Sequence, residues 1–208
     1  TAFFDNTVRS KGYSVRCIRV IVDLISPGTG KVWMDRNLGA IQKATSSTDV
    51  DSYGGLYQWG RGADGHESRN SKVTVGRVDI GTKGGNFIAS GGSDWSKEVD
   101  DTRWNTGTEN NPIKTANDPC PSGYRVPTRI ELEAERNAFG THDASGAFGA
   151  LKLTLGGSRS SDGIFQNVGS KGNYWTSSID NHKFVIGNTA FFDNTVRSKG
   201  YSVRCIKD

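Results

Sequence analysis

The segment that opens the chain, TAFFDNTVRSKGYSVRCI at residues 1–18, recurs letter for letter at residues 189–206. Any strand or side-chain slot that one copy fills, the other can fill with the same chemistry. A fold of this chain therefore has two candidates for one place, and connectivity must choose between them. Beyond the repeat the copies part, Arg19-Val20 following the first and Lys207-Asp208 the second. Identity at a fixed offset is the signature of repeat architecture. Three origins stay open: the tail of a preceding unit in a tandem array, a strand copied to the front to swap or complete a sheet, or an artefact. On each of them the self-contained domain is residues 19–208, and residues 1–18 duplicate its C-terminal segment. The chain starts at Thr1 with neither Met nor a signal sequence, which reads as an excised or processed fragment.

Composition narrows the class. Glycine supplies 27 of 208 residues, about 13% against a usual 7%. It is accompanied by five Trp, six Tyr and nine Phe but one Met. That mixture predicts a loop-rich fold in which large rings pin the loops, and it excludes a coiled coil, collagen and a disordered tail. No apolar run is long enough to span a membrane. The net charge of +4 comes with no basic run, so the chain carries no nucleic-acid footprint. The cysteines are Cys17, Cys120 and Cys205, the first duplicating the last. If Cys120 and Cys205 pair, they close a loop worth about 4–5 kcal/mol of chain entropy and leave Cys17 alone; the alternative is three reduced thiols.

Residues 20–25 (VIVDLI) and 31–34 (KVWM) flank Ser26-Pro27-Gly28 and read as a hairpin. The aromatic block 53–61 (YGGLYQWGR) reads as a short helix, and 62–118 as a long irregular region of the kind that is functional or specifically packed. Thr128, with Glu131 three residues on, predicts a capped helix to about Phe139, stopped at Gly140. Alternating Leu151, Leu153 and Leu155 predict a strand, and 173–178, 184–186 and 201–206 predict the others. The fold class is α+β: short antiparallel strands, one or two helices and extensive ordered loops.

Five blocks carry more than composition: GKVWMDRNLGA at 30–40, YGGLYQWG at 53–60, CPSGYRVPT at 120–128, YWTSS at 174–178 and YSVRC at 201–205. In this order they resemble the Fibrobacter succinogenes major paralogous domain family over nearly all of residues 20–208. The resemblance implies a C-type lectin-like fold, related to formylglycine-generating enzymes and to the variable proteins of diversity-generating retroelements. It implies pairing of the first strand, 20–25, with the last, 201–206, and it implies a disulfide between Cys120 and Cys205. It also implies an extracellular, cell-surface or virion setting, including phage-tail proteins. A fold of this breadth does not fix function.

Trp33, Trp59 and Trp175 read as core. Trp95 and Trp104 read either as loop pins or as a sugar-stacking surface. The acids Asp49, Asp51, Asp100, Asp101 and Glu109 have the hardness for a structural calcium but not the spacing of a known loop; no other cofactor or metal is implied. His66, His142 and His182 are scattered, and no nucleophile elbow, phosphate loop or Cys-x-x-Cys is present. The expectation is a non-catalytic module. Between the YWTSS block and the last strand, rigid aromatics alternate with small polar residues, the composition of adaptable binding surfaces. The candidate ligand-binding residues are Ile179, Asn181, His182, Phe184, Asn188, Phe192, Asn194, Arg197 and Tyr201. The expected function is adhesion or binding to a protein or glycan on a cell surface. A structural spacer in a tandem-repeat protein is the alternative, and a formylglycine-generating-type enzyme the third. Head-to-tail self-association through residues 1–18 is a further expectation.

Overall fold

The computed structural model describes residues 22–180 and 183–208. The 1–18 copy, Cys17, Asn181 and His182 lie outside the described residues. The elements run β1 Asp23–Ile25, β2 Val32–Met34, β3 Tyr57–Gln58, β4 Val73–Val75, β5 Phe87–Ala89, β6 Tyr124–Arg125, α1 Arg129–Asn137 and α2 Ala144–Leu151. They continue with β7 Ser158–Arg159, β8 Phe165–Gln166, β9 Gly172–Trp175, β10 Lys183–Ile186, β11 Ala190–Asp193, β12 Gly200–Tyr201 and β13 Ile206–Lys207. Small sheets, nearly all antiparallel, with two short helices make this a mixed α+β chain. Among the described residues no helix is long and apolar enough to cross a membrane.

The β1–β2 hairpin forms as its sequence predicts, with Leu24 opposite Trp33 and Asp23 opposite Met34. Its turn closes through Ser26 N–H to Lys31 O at 2.8 Å, and Gly30 takes the left-handed φ of 71° that the reversal needs. The first sheet then departs from expectation, because its order is β1-β2-β13-β6. The last strand pairs with β2, Ile206 facing Trp33, and not with β1. Burial explains the order. Trp33 is fully buried while Ile25 of β1 is exposed, so β2 is the strand that must be covered on both sides.

Two other segments also differ from their sequence reading. The 53–61 block is not helical: a 3-10 turn at Val50–Ser52 leads into β3, because Gly54 and Gly60 sit at φ 69° and 78° and cannot continue a right-handed helix. The leucine alternation at 151–155 is a helix end followed by extended chain outside any sheet. Helix α2 stops where Lys152 turns left-handed at φ 55°, and Leu151 and Leu153 still reach the core. The α2 cap is a short-range signal that the leucines masked: Asp143 accepts Gly146 N–H at 2.9 Å. Helix α1 begins after Thr128 as predicted, with Glu131 accepting the Thr128 N–H at 2.9 Å.

Two apolar clusters hold these pieces. One gathers Trp33, Leu132, Phe139, Leu151, Leu153, Phe184 and Ile206 under α1 and α2. The other gathers Trp59, Trp104, Tyr124, Trp175, Tyr201 and Val203 around the Cys120–Cys205 disulfide, whose Cα atoms stand 5.9 Å apart. Trp95 and Trp104 are buried pins and present no face for a sugar to stack on: their indole N–H groups donate to Trp59 O (2.8 Å) and Arg61 O (3.2 Å). They tie down the long region 62–118.

Candidate functional site

Reactive chemistry would start from the buried ionisable groups. His66 is fully buried between Tyr57 and Asp64. Its Nε2 accepts the Gln58 N–H at 2.9 Å, so Nδ1 carries the proton and donates to Asp64 Oδ1 at 2.6 Å. Burial lowers the imidazole pKa against the pull of Asp64. Burial alone would raise the Asp64 carboxyl, but the hydrogen bond from His66 and the charge of Arg61 hold it at about 2. Arg61 grips Asp64 with Nη2 (2.9 Å) and donates to Gln58 Oε1 and to the carbonyls of Gly84 and Asn86.

Among the described residues, Asp64, His66 and Glu67 are the only cluster of three His, Cys, Asp or Glu side chains close enough to share an ion. They do not fit one. The lone pair of Nε2 is taken by a backbone N–H, and Nδ1 bears hydrogen. Three of the five acids expected to suit calcium are bound elsewhere: Asp49 accepts from Gln42 and Thr45, Asp100 from Thr102, and Asp101 from Arg197.

The other buried arginines behave like Arg61. Arg204 is fully buried, and burial lowers its pKa to about 10. It donates to Asn37 Oδ1 (2.7 Å) and to the carbonyls of Leu151, Lys152 and Met34. Arg197 lies over the Trp59 ring at 4.4 Å and pairs with Asp94 and Asp101. These cations are structural donors inside the fold, so the chain's positive charge does not measure a surface patch.

The structure divides the residues that the sequence nominates. Phe184 is 0% exposed, its ring 4.9 Å from Phe192. Tyr201 is 2% exposed against Trp175 at 4.5 Å, and burial pushes its hydroxyl up to about 12. Arg197 is buried as described. These three form the framework and cannot meet a ligand without opening the core, so they are corrected out of the candidate surface. Phe192 is half-buried with Arg129 over its ring at 5.5 Å. Ile179, Asn188 and Asn194 are exposed.

The exposed members flank the sheet β11-β10-β9, Asn188 in the β10–β11 turn and Ile179 and Asn194 beyond the other end. Along β11, Ala190 and Phe192 turn to the core and Phe191 turns out, 40% exposed, opposite Val185 of β10. Beside it a concavity of about 310 Å³ is lined by Phe191, Asn188, Thr189, Val185, Ser170 and Lys171. Phe191, Ser170 and Lys171 are the members sequence reasoning missed. The alternation of Ala190 and Phe192 was the available signal for Phe191, since period two places it on the opposite face. The free edge of β11 is partly closed: Ala190 N–H donates to His142 O (2.7 Å), and Arg136 Nε donates to Ala190 O (2.7 Å).

A second concavity, about 350 Å³, lies between the loops 39–41, 50–55 and 67–69. Its one arginine, Arg69, is spent on Gly54 O and Gly156 O, both at 2.8 Å, over the Tyr53 ring. No family model, curated protein or solved structure matches this chain.

Proposed function

We propose that the chain is a non-catalytic binding module of C-type lectin-like fold from an extracellular, cell-surface or phage-tail protein, akin to the Fibrobacter paralogous domains. Its ligand is a glycan or a protein epitope displayed on a cell surface. One observation carries the reading: the outer face of β10–β11 sets Phe191 beside Asn188, Thr189, Ser170 and Lys171 around a hollow of about 310 Å³, at the small end of ligand sites. A rigid aromatic next to small hydrogen-bonding groups suits adaptable recognition, and Ile179 and Asn194 are exposed beyond the ends of β9 and β11.

The disulfide supports an oxidising compartment. The described cysteines support a staple over a reactive pair, since Cys120 and Cys205 are buried and joined. The spacer reading draws its support from the duplicated segment alone.

The test is an array of bacterial and host glycans and surface proteins, probed with the full chain and with Phe191→Ala and Asn188→Ala. The expected outcome is a bound ligand whose affinity falls at least tenfold in each variant, with Tm unchanged within a few degrees. A chain that binds nothing on either array is a spacer. Binding unaffected by both substitutions moves the site to the 39–69 concavity.

A further inference from the structure

We propose that residues 1–18 are a donor segment that fills the channel of residues 189–206 in a second copy of this chain, placing Cys17 against that copy's Cys120. The inference is independent of the ligand reading.

Residues 189–206 are no surface appendage. They form the outer strand β11, then β12 between β3 and β7, then enter β13 between β2 and β6. The channel reads them by side chain. Arg197 meets Asp94 and Asp101, Tyr201 meets Trp175, Arg204 meets Asn37 and a ring of carbonyls, and Cys205 meets Cys120. It also reads the backbone: Leu38 N–H to Val203 O at 2.9 Å, Met34 N–H to Cys205 O at 3.0 Å, Ser202 N–H to Asn173 O at 2.9 Å. The 1–18 copy offers the same groups at the same spacing, with Arg9, Tyr13, Arg16 and Cys17 standing for Arg197, Tyr201, Arg204 and Cys205. A channel that accepts one accepts the other.

The register then excludes the chain's own channel. Strands β1 and β13 lie on opposite sides of β2, both antiparallel to it, with Leu24 and Ile206 each opposite Trp33. They are therefore parallel to each other. If Ile18 stood where Ile206 stands, residues 19–22 alone would have to carry the chain past β2 and back to the start of β1 at Asp23. Parallel strands in one sheet need a crossover of about a dozen residues or more. Four cannot make it. With β1 in place, the channel that residues 1–18 fit belongs to another molecule, and the contact is heterologous and need not close.

The covalent step balances without an added oxidant. The Cys17 thiol loses its proton to solvent, and its thiolate attacks the Cys120 sulfur of the second copy. A Cys17–Cys120 bond forms, the Cys120–Cys205 bond breaks, and Cys205 leaves as thiolate. The tethered copy competes at an effective concentration in the mM range, so at 100 µM chain about a tenth of the channels should hold a donor from another molecule.

Full chains grown with natural and heavy nitrogen, mixed at pH 8 and mapped without reduction, test this. The expected product is a mixed-isotope Cys17–Cys120 peptide whose yield rises in proportion to chain concentration. In the full-length Cys205→Ser chain, with oxidised glutathione to take the two electrons, the same linkage should rise several-fold. Adding Arg16→Asp to either chain should abolish it, because the Arg204 pocket offers only oxygens. Detection of Cys120–Cys205 alone in the wild-type mixture, or a Cys17–Cys120 yield indifferent to Arg16→Asp, overturns the proposal. The wild-type arm stands even where the Cys205→Ser chain fails to fold.

Discussion

His66 gives this chain a stability that fades in mild acid, and the sign follows from its two hydrogen bonds. In the folded state Nε2 accepts from Gln58 N–H and Nδ1–H donates to Asp64. A second proton would have to sit on Nε2, facing that N–H, in a site without solvent. Burial accordingly lowers the folded pKa. An unfolded histidine titrates near 6.5. Below that pH the unfolded chain takes up a proton that the folded chain refuses, so stability falls as pH falls from about 6.5 toward the folded value, and it is constant above about 7. The limiting slope is about 1.4 kcal/mol per pH unit, so the loss between pH 7 and pH 5 has a ceiling of about 2 kcal/mol, reached when the folded imidazole takes up no proton in that range. Asp64 acts in another window: its carboxyl at about 2 stabilises above the ordinary carboxylate range and is lost only as pH falls through roughly 4 toward 2. Urea unfolding followed by tryptophan fluorescence at pH 7, 6 and 5 separates the two. The wild-type chain should lose stability progressively over that range, by up to about 2 kcal/mol. His66→Gln should be less stable at pH 7 yet nearly flat down to pH 5. Equal slopes in the two proteins would refute a neutral, buried His66.

Removing the disulfide by Cys120→Ser with Cys205→Ser should cost about 4–5 kcal/mol, because the separation of 85 residues sets the loop entropy released to the unfolded state; a loss under about 1 kcal/mol by urea midpoint contradicts that origin. Two glycines of like φ but unlike surroundings separate backbone strain from close approach. Gly30→Ala at φ 71°, with open space around it, should cost about 1–2 kcal/mol. Gly54→Ala at φ 69°, whose Cβ would stand 2.5 Å from Leu38 O, should cost clearly more, and equal losses would remove the close-approach argument.

Local signals were legible where they are self-contained. The first hairpin follows from its apolar runs and its turn, and α1 from Thr128 and Glu131. The Cys120–Cys205 pair also came through, as the family resemblance implied; the duplication of Cys17 alone left three reduced thiols as an alternative. What failed was anything decided by distant partners. Leu151, Leu153 and Leu155 alternate like a strand, yet no neighbour is available to form a ladder with them. The 53–61 block has the aromatic density of a short helix, but Gly54 and Gly60 take positive φ where neighbouring loops approach closely. The candidate site was half legible. Composition located the 179–201 segment, but composition has no direction. Which of Phe191 and Phe192 faces out is set by pairing with β10, and the burial of Arg197 and Tyr201 is set by Trp59 and Trp175, more than a hundred residues away in one case.

A sheet made of strands two to four residues long forms too few ladder bonds to hold its loops, and the arginines supply the difference. Arg61 binds the carbonyls of Gly84 and Asn86, Arg69 those of Gly54 and Gly156, and Arg103 that of Gly60. Arg159 binds those of Ser71 and Gly163, and Arg204 those of Leu151 and Lys152. Each guanidinium offers several donors in a fixed fork, so one side chain can fix two loops that no strand connects. Several of these forks lie over aromatic rings: Arg61 and Arg103 over Trp95, Arg69 over Tyr53, Arg159 over Phe87, which offsets part of the cost of burying the charge. The loops are thus ordered from within. Exposed side chains on β10–β11, such as Asn188 and Phe191, do not take part in that order, and they can change without loosening it. A scaffold built this way separates the residues that fold it from the exposed residues proposed to face a ligand, and it does so within a single continuous segment, 183–201.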